Sequence, residues 1–435
     1  MAATDTTVIS DYSEFLKEYY TPMIQNARQR KNVFLDDRVI LFDKENVSGK
    51  YALIPVNFRS MAGIGSRAEN GAMPIPDNGQ YDTAKIEMTY SFAIMQISLQ
   101  LMAASEGDRG SFNPAFAQET QVVMDAWLMD LNRQILGAGD GYLAMVDGSW
   151  TNGDTDAKDI DNAWGISATD AGSNGNGDLF ISENLLINVF NGTSKRTDGG
   201  ASDDGDIKIS AFTRGAGSTE ATITMDDSGT AVDGDYIVRA GNKLSGESDT
   251  YEANGLRLLI DDGTLAGTFQ NISTTTRPDW KAFVTYGSSS GTAEPLTRAR
   301  MMTVWNNITK RSSGDIKFLF CGTDTEEAYL ELADSMTMTS NPVKLDVASN
   351  WEGPAFRGVP VISDPIYPEG RIEFIDPSVL AIYQMNSADW IPGDVGVLQK
   401  VAGYANYLAE FAWFFQFGIR DRSKVGSLRD ISLVS

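Results

Sequence analysis

The sequence predicts an α+β fold assembled from segments of unlike character, and three observations predict it. Two strand patterns, over Tyr51–Val56 and Lys85–Ser98, flank a stretch rich in Gly, Pro and Asn, Met61–Gln80, that has no periodicity of its own. One long amphipathic helix pattern follows, and then an acidic block of Gly, Asp, Ser, Asn and Thr with short strand signals. From Ala293 onward, helix and strand signals alternate without any repeat at solenoid or propeller periods.

Residues 1–48 read as an N-terminal arm. Tyr12, Phe15, Leu16, Tyr19 and Tyr20 recur at spacings of three and four, which predicts a helix within Ser10–Gln29 that Pro22 interrupts. Lys17, Arg28, Arg30, Lys31 and Arg38 make the arm more basic than the chain as a whole. Residues 49–98 read as an extended two-stranded loop, its second strand carrying Ile86, Met88, Tyr90, Phe92 and Ile94 in alternation. Compact hairpins close with about two to five residues. The 20 residues of Met61–Gln80 are too many for that, so something outside the domain must hold them, and a neighbouring subunit is the natural candidate.

Residues 99–138 contain the best helix of the sequence. Asn113 suits an N-cap and Pro114 the first helical position. Phe116, Met124, Trp127, Leu128, Leu131 and Ile135 mark one apolar face, and Gly137 suits a left-handed C-terminal stop. At 1.5 Å per residue this span is roughly 34 Å long, a rigid strut. Residues 139–285 read as a β-rich insertion with strands at Ala221–Met225, Tyr236–Arg239 and Leu256–Ile260. Between residues 140 and 270 there are 23 acidic and 8 basic side chains, a balance of −15, so this block holds most of the negative charge.

Residues 286–400 read as a compact α/β domain: a helix over Leu296–Lys310 with Met301, Met302, Trp305 and Ile308, a buried strand over Ile316–Cys321, and strands at Gly358–Ser363 and Arg371–Ile375. Thr323-Asp324-Thr325-Glu326 has the spacing of a capping box opening a helix to Ala333. Residues 401–435 supply a return strand, with Tyr407, Ala409, Phe411, Trp413, Phe415 and Phe417 on one face.

Composition excludes much chemistry. Histidine is absent and Cys321 is the single cysteine, so a Ser-His-Asp triad, a histidine metal site and an internal disulfide are all ruled out. Cys321 sits in an apolar run and reads as an inert buried thiol. The 59 acidic residues against 35 basic ones, a net charge of −24, argue against a dedicated nucleic-acid reader and against anionic membranes. Neither a secretory signal nor a run of 18 apolar residues is visible, which predicts a soluble chain made in the cytoplasm.

Four motifs invite sharper readings. Asp154, Asp156, Asp159 and Asp161 could surround calcium, but Lys158 breaks the EF-hand pattern and a solvated acidic loop is the stronger reading. Asp203-Asp204, Asp226-Asp227 and Asp261-Asp262 lie in Gly-rich turns, not across a cleft as a glycosidase needs. Gly63, Gly65, Gly71 and Gly79 lie between strands and form no phosphate loop. Met301, Met302 and Trp305 read as a core face rather than a docking stripe. No catalytic, cofactor or metal residue emerges.

The order of these segments resembles the major capsid proteins of tailed bacteriophages, with their Hong Kong 97-like fold. The resemblance rests on the arm Asp11-Tyr12-Ser13-Glu14-Phe15-Leu16-Lys17-Glu18-Tyr19-Tyr20-Thr21-Pro22-Met23-Ile24 and on the loop segment Ser66-Arg67-Ala68-Glu69-Asn70-Gly71-Ala72-Met73-Pro74. It rests also on the late strand and turn Phe374-Ile375-Asp376-Pro377-Ser378-Val379-Leu380. It covers most of the chain outside roughly residues 140–285, and no single motif is diagnostic.

The resemblance implies an arm, an extended loop, a peripheral domain with a spine helix, an axial α/β domain and a non-enzymatic shell subunit. It implies pentamers and hexamers of this chain in an icosahedral phage head, made in the host bacterial cytoplasm and enclosing double-stranded DNA held only by weak contact. A portal, a separate scaffolding protein and a decoration protein are the further partners it suggests; the chain starts almost at once with the arm, which is why scaffolding is expected to be separate. Arg59, Arg67, Glu69, Tyr81, Lys17, Arg28 and Arg30 are the candidate intersubunit contacts. Crosslinking through a loop lysine is not expected, because no lysine lies between Lys50 and Lys85. A phage fibre or carbohydrate-binding protein is the competing reading, motivated by the Asp/Gly-rich block and eight tryptophans; a histidine-independent enzyme is the weakest.

Overall fold

Branched and small apolar residues two apart build a ribbon from Tyr51–Arg59 (β1) and Gln80–Glu87 (β2). The strands pair antiparallel from Tyr51↔Glu87 to Arg59↔Gln80. Pro55 is tolerated there because a two-stranded ribbon consists only of edges, where a missing N–H is not missed. The structure is a computed structural model that describes residues 43–59, 63–75, 77–101, 115–150, 158–161, 179–196, 206–214, 221–225, 230–245, 250–287, 292–335, 343–344, 352–393 and 397–433. Residues 1–42 of the expected arm, with Lys17, Arg28 and Arg30, lie outside the described residues, as do Asn113, Asp154, Asp156 and the pairs Asp203-Asp204 and Asp226-Asp227.

The strand expected over Lys85–Ser98 is two strands. It breaks at Met88, and Thr89–Ser98 (β3) joins a different sheet, alongside the long strand Asn406–Ile419. The side-chain phase explains the break: Ala84, Ile86 and Met88 are buried at even positions, then Ala93, Met95 and Ile97 at odd ones. A one-residue slip turns every side chain to the other face, so Tyr90, Phe92 and Ile94 point outward instead of continuing the buried row.

The chain divides into two compact units. Within the smaller, Ala93–Trp127 and Trp390–Phe411 come together. Leu398–Lys400 pairs antiparallel with Tyr407–Ala409, Leu99 N donates to Ala405 O, and the Phe411 ring meets Trp127 and Trp390 edge-on at 5.0 and 5.4 Å. The long helix, Ala115–Leu136 (α1), matches its sequence pattern, but two details differ. Leu128 is exposed. The left-handed residue beyond the helix is Gly139 (φ 71°) and not Gly137, whose N–H still donates helically to Arg133 O.

In the larger unit the acidic block forms a sheet that closes on itself. Tyr236–Arg239, Tyr142–Val146, Lys158–Asp161, Ala221–Met225, Ile207–Thr213 and Leu186–Asn191 pair antiparallel in that order, and Leu186–Asn191 pairs back with Tyr236–Arg239. Closure removes exposed edges. The interior is apolar, with Leu143, Ile160, Val189, Ile209, Ile223 and Ile237 all buried. The end of α1 docks on this barrel through charges. Arg133 meets Glu252 at 2.5 Å and Asp130 at 3.1 Å, and Arg239 reaches Asp130 at 3.1 Å. Burial opposes ionisation of Asp130, but Arg133, Arg239 and Gln134 outweigh it and hold the carboxyl well below the ordinary aspartate range.

Leu256–Ile260, expected as a strand, is a single helical turn, Leu256–Leu259. A short apolar run does not distinguish a strand from a buried turn. Gly255 decides it: a Cβ there would sit 2.1 Å from Gly137 O, and its carbonyl accepts from the Leu258 and Leu259 amides.

The α/β core is a six-stranded mixed sheet in the order Phe283–Thr285, Gly426–Leu428, Ile372–Ile375, Phe318–Cys321, Val359–Ser363, Ala355–Phe356. Helix Arg298–Ser312 (α2) covers it with Met301, Val304 and Ile308, packed on Leu319, Val361, Phe374 and Leu428. Each such buried side chain contributes about 1.5–3 kcal/mol. Thr297 caps α2 by accepting Arg300 N, and Lys310 and Arg311 complement its C-terminal end. Cys321 is fully buried, and burial pushes its thiol well above the usual range.

The capping box expected at Thr323–Glu326 is replaced. In helix Thr323–Ser335 (α3), Thr325 N and Oγ1 both donate to Glu369, at 2.9 and 2.8 Å. A carboxylate from a distant turn thus caps the N-terminus, where it also meets the favourable end of the helix dipole.

Asp261, read with Asp262 as a pair in a Gly-rich turn, is buried beside two arginines. It lies 4.0 Å from Arg422 and 3.7 Å from Arg429 and accepts Gly263 N and Leu265 N. Arg422 donates to Leu258 O and Leu259 O, and Arg429 to Ile260 O. Burial lowers the Arg422 pKa to about 10, with Asp261 opposing the shift.

Asp261→Ala should destabilise the isolated chain by about 3–5 kcal/mol, because two guanidiniums lose their buried counter-charge; urea unfolding reads the change. Acid should act through Asp130. Its folded pKa is depressed, so its contribution is complete above the ordinary value of 3.8 and is lost as pH falls below it. Unfolding midpoints measured down the acid limb should therefore fall less steeply in Asp130→Asn than in the wild type.

Candidate functional site

The ribbon is anchored on one face and bare at its tip. Near its start, Ala52, Ile86 and Met88 cluster with Ala381 and Tyr383. Further out, Ala84, Ile54, Val56 and Phe58 pack around Ile272 and Trp280, with Phe58 edge-on to Trp280 at 6.1 Å. Arg277 bridges to Asp82 at 2.5 Å, and Lys85 N donates to Gln270 O. These contacts hold β1 and β2 as a cantilever.

Between Arg59 and Gln80 the described residues form no ladder. Arg59 pairs with both oxygens of Asp77 at 2.7 Å and closes the root of the tip. Arg67 Nε donates to Ala72 O at 2.9 Å, and Gly71 N to Ala68 O at 2.8 Å, around Asn70 in the left-handed conformation (φ 62°). Ile64, Met73 and Ile75 on this frame are 84%, 86% and 85% exposed. Scattered exposed apolar residues need no explanation, but these three share one loop.

Of the expected contact residues, the structure brings Arg59, Arg67, Glu69 and Tyr81 onto the ribbon. Arg59 and Arg67 are engaged within the loop, whereas Glu69 lies exposed at the turn and Tyr81 is exposed beside the root. The residues that sequence reasoning missed are Ile64, Met73 and Ile75. Their signal was present: isolated apolar residues in a stretch with no strand or helix period. A second exposed apolar row runs along β3, where Tyr90 and Phe92 meet the Phe414 ring edge-on at 5.1 and 5.8 Å.

Enzyme-like geometry is not what this surface offers. Among the described residues no group of three or more acidic or cysteine side chains is placed to hold a metal, and no helix is long and apolar enough to cross a membrane. A cavity lined by Ile135, Leu256, Leu259, Leu380, Ala381, Phe417 and Gly418 has a volume of about 10 Å³ and only apolar walls.

No family model matches the sequence, and no curated protein matches it. Solved structures do match the fold. A subunit of the cyanophage A-1(L) capsid aligns with a TM-score of 0.53 at 13% identity, covering 95% of this chain and 98% of that one. A subunit from the capsid of an empty GTA particle aligns with a TM-score of 0.50 at 10% identity, over 99% and 100%. The holo-SrpI encapsulin of Synechococcus elongatus PCC 7942 aligns with a TM-score of 0.49 at 7% identity, over 99% and 98%. The first two alignments run nearly end to end, so this chain has the mixed α+β, sheet-rich fold of capsid proteins.

Replacing Ile64, Met73 and Ile75 together by Ser should leave the unfolding free energy of the isolated subunit within about 0.5 kcal/mol of wild type, the usual range for exposed positions. A larger loss in urea titration would mean that the tip belongs to the core.

Proposed function

We propose that this chain is the major capsid protein of a tailed phage, a non-catalytic shell subunit that assembles with copies of itself into an icosahedral head around double-stranded DNA. One observation carries the reading: a ribbon that is fixed at its root and presents three exposed apolar side chains at a tip that no apolar cluster among the described residues covers. Such a tip has its use on a neighbour. The capsid fold supports the same reading independently.

In this reading the pieces are Hong Kong 97-like. Residues 1–48 are the arm, 49–98 the extended loop, 99–138 the peripheral domain with its spine helix, 139–285 the β-rich insertion with connecting strands, 286–400 the axial domain and 401–435 the return strand. Arg59, Arg67, Glu69 and Tyr81 on the loop, and Lys17, Arg28 and Arg30 in the arm, face neighbouring subunits in pentamers and hexamers. The net charge of −24 keeps the contact with packaged DNA weak, because phosphate neutralisation needs cations. The acidic insertion faces outward, where like charge resists clumping between particles. The location is the virion head, after synthesis in the host bacterial cytoplasm.

Deletion of residues 61–80 should leave a folded subunit and abolish shells. Circular dichroism and urea unfolding read the first, and negative-stain microscopy of the expressed protein with its partner assembly proteins reads the second. Normal shells from the deletion variant would overturn the reading.

A further inference from the structure

We propose that Asn78 is a self-modification site, where the chain converts an asparagine amide to an acid in the root of the ribbon tip without any enzyme. The site is the peptide between Asn78 and Gly79, next to the Arg59–Asp77 pair. Asn78 is exposed and lies outside regular structure, two residues before the β2 ladder begins at Gln80.

The chemistry needs only water. The Gly79 amide N loses its proton to solvent and attacks Asn78 Cγ. A C–N bond forms, the Cγ–Nδ2 bond breaks, and the amide nitrogen leaves as ammonia, having taken up a proton. Water then opens the five-membered succinimide at either carbonyl and leaves aspartate or isoaspartate. Glycine in the following position removes the Cβ that would hinder ring closure. The rate rises with the fraction of that amide that is deprotonated, and there the structure contributes. Arg59 donates to Asn78 O at 3.2 Å, and that oxygen is the carbonyl of the very peptide whose N–H must ionise. A guanidinium on the carbonyl stabilises the negative charge that develops as the proton leaves. Asp77 holds the guanidinium in place with two 2.7 Å bonds.

Two other exposed Asn-Gly pairs among the described residues lack this arrangement. At Asn70-Gly71 the attacking amide is already bonded to Ala68 O at 2.8 Å and must first be released. Asn191 is the last residue of the strand Leu186–Asn191 and is paired with Ser194, which restrains its backbone from the rotation that ring closure requires. The three pairs share the Asn-Gly dipeptide that sets the intrinsic rate and differ in their surroundings, so each serves as a control for the others.

Incubating the purified chain at pH 8 (about neutral to mildly basic, where the amide proton leaves more readily) and mapping tryptic peptides by mass spectrometry tests the proposal. Conversion at Asn78 should exceed that at Asn70 by about fivefold, the factor equivalent to about 1 kcal/mol on the barrier for a hydrogen bond that must first open. Arg59→Gln should slow Asn78 by about threefold or more, the loss of a charge-assisted contact, and leave Asn70 unchanged. Equal rates at Asn70 and Asn78 in the wild type would overturn the proposal with no variant involved. So would an undiminished Asn78 rate in an Arg59→Gln protein whose circular dichroism is that of wild type. The proposal is independent of shell assembly, since it is read on the isolated subunit.

Discussion

A two-stranded ribbon cannot bury its own apolar side chains on both faces, and that constraint organises this molecule. An isolated hairpin is marginal in water because every backbone group on its outer side and half of its side chains stay wet. The chain answers by seating one face of the ribbon on two separate clusters, one with Tyr383 and one with Trp280. Neither cluster extends to the tip. Ile64, Met73 and Ile75 therefore stand in solvent on a loop whose root and turn are nevertheless pinned by Arg59 and Arg67.

Elsewhere the chain solves the edge problem internally. The acidic block closes its strands into an antiparallel ring, which leaves no open ladder among those six strands. Its charge is then a matter of turns and solvent, while the interior stays apolar. Two groups of buried charges are paired and join distant segments: Arg133 and Asp130 of α1 with Glu252 and Arg239, and Asp261 with Arg422 and Arg429. Ion pairs of this kind add little over apolar packing but are costly to break. They suit joints that must have one geometry, and both lie where a long helix or the C-terminal segment meets the body.

Much of this was legible in the sequence, element by element. The strands Ala221–Met225 and Tyr236–Arg239 stand where turn residues and alternation place them, and α1 ends at Leu136 as its periodicity indicates. The failures share a cause. Met88, Gly255 and Glu369 each settle a local conformation through a partner far away in the chain: the phase of two different sheets, the Gly137 carbonyl, and the α3 N-terminus. Ring closure of the insertion was likewise invisible, because it depends on a pairing between Leu186–Asn191 and Tyr236–Arg239 that neither segment encodes alone. For the ribbon, the charged residues Arg59 and Arg67 stood out as candidates while the apolar ones did not. Ile64, Met73 and Ile75 are visible in the sequence as apolar residues without a period, but their exposure is a property of the fold.

Magnitudes show why the tip must be pinned as well as exposed. Ordering a flexible residue costs about 1–2 kcal/mol, so immobilising the stretch 63–75 from a free coil would cost more than three buried apolar side chains return at about 1.5–3 kcal/mol each. A tip that met its partner only as a coil would bind poorly. The bonds of Arg59 to Asp77, Arg67 to Ala72 and Gly71 to Ala68 meet part of that ordering cost during folding, before any partner arrives. Arg59 and Arg67 thus act within their own chain to hold the frame on which Ile64, Met73 and Ile75 stand exposed.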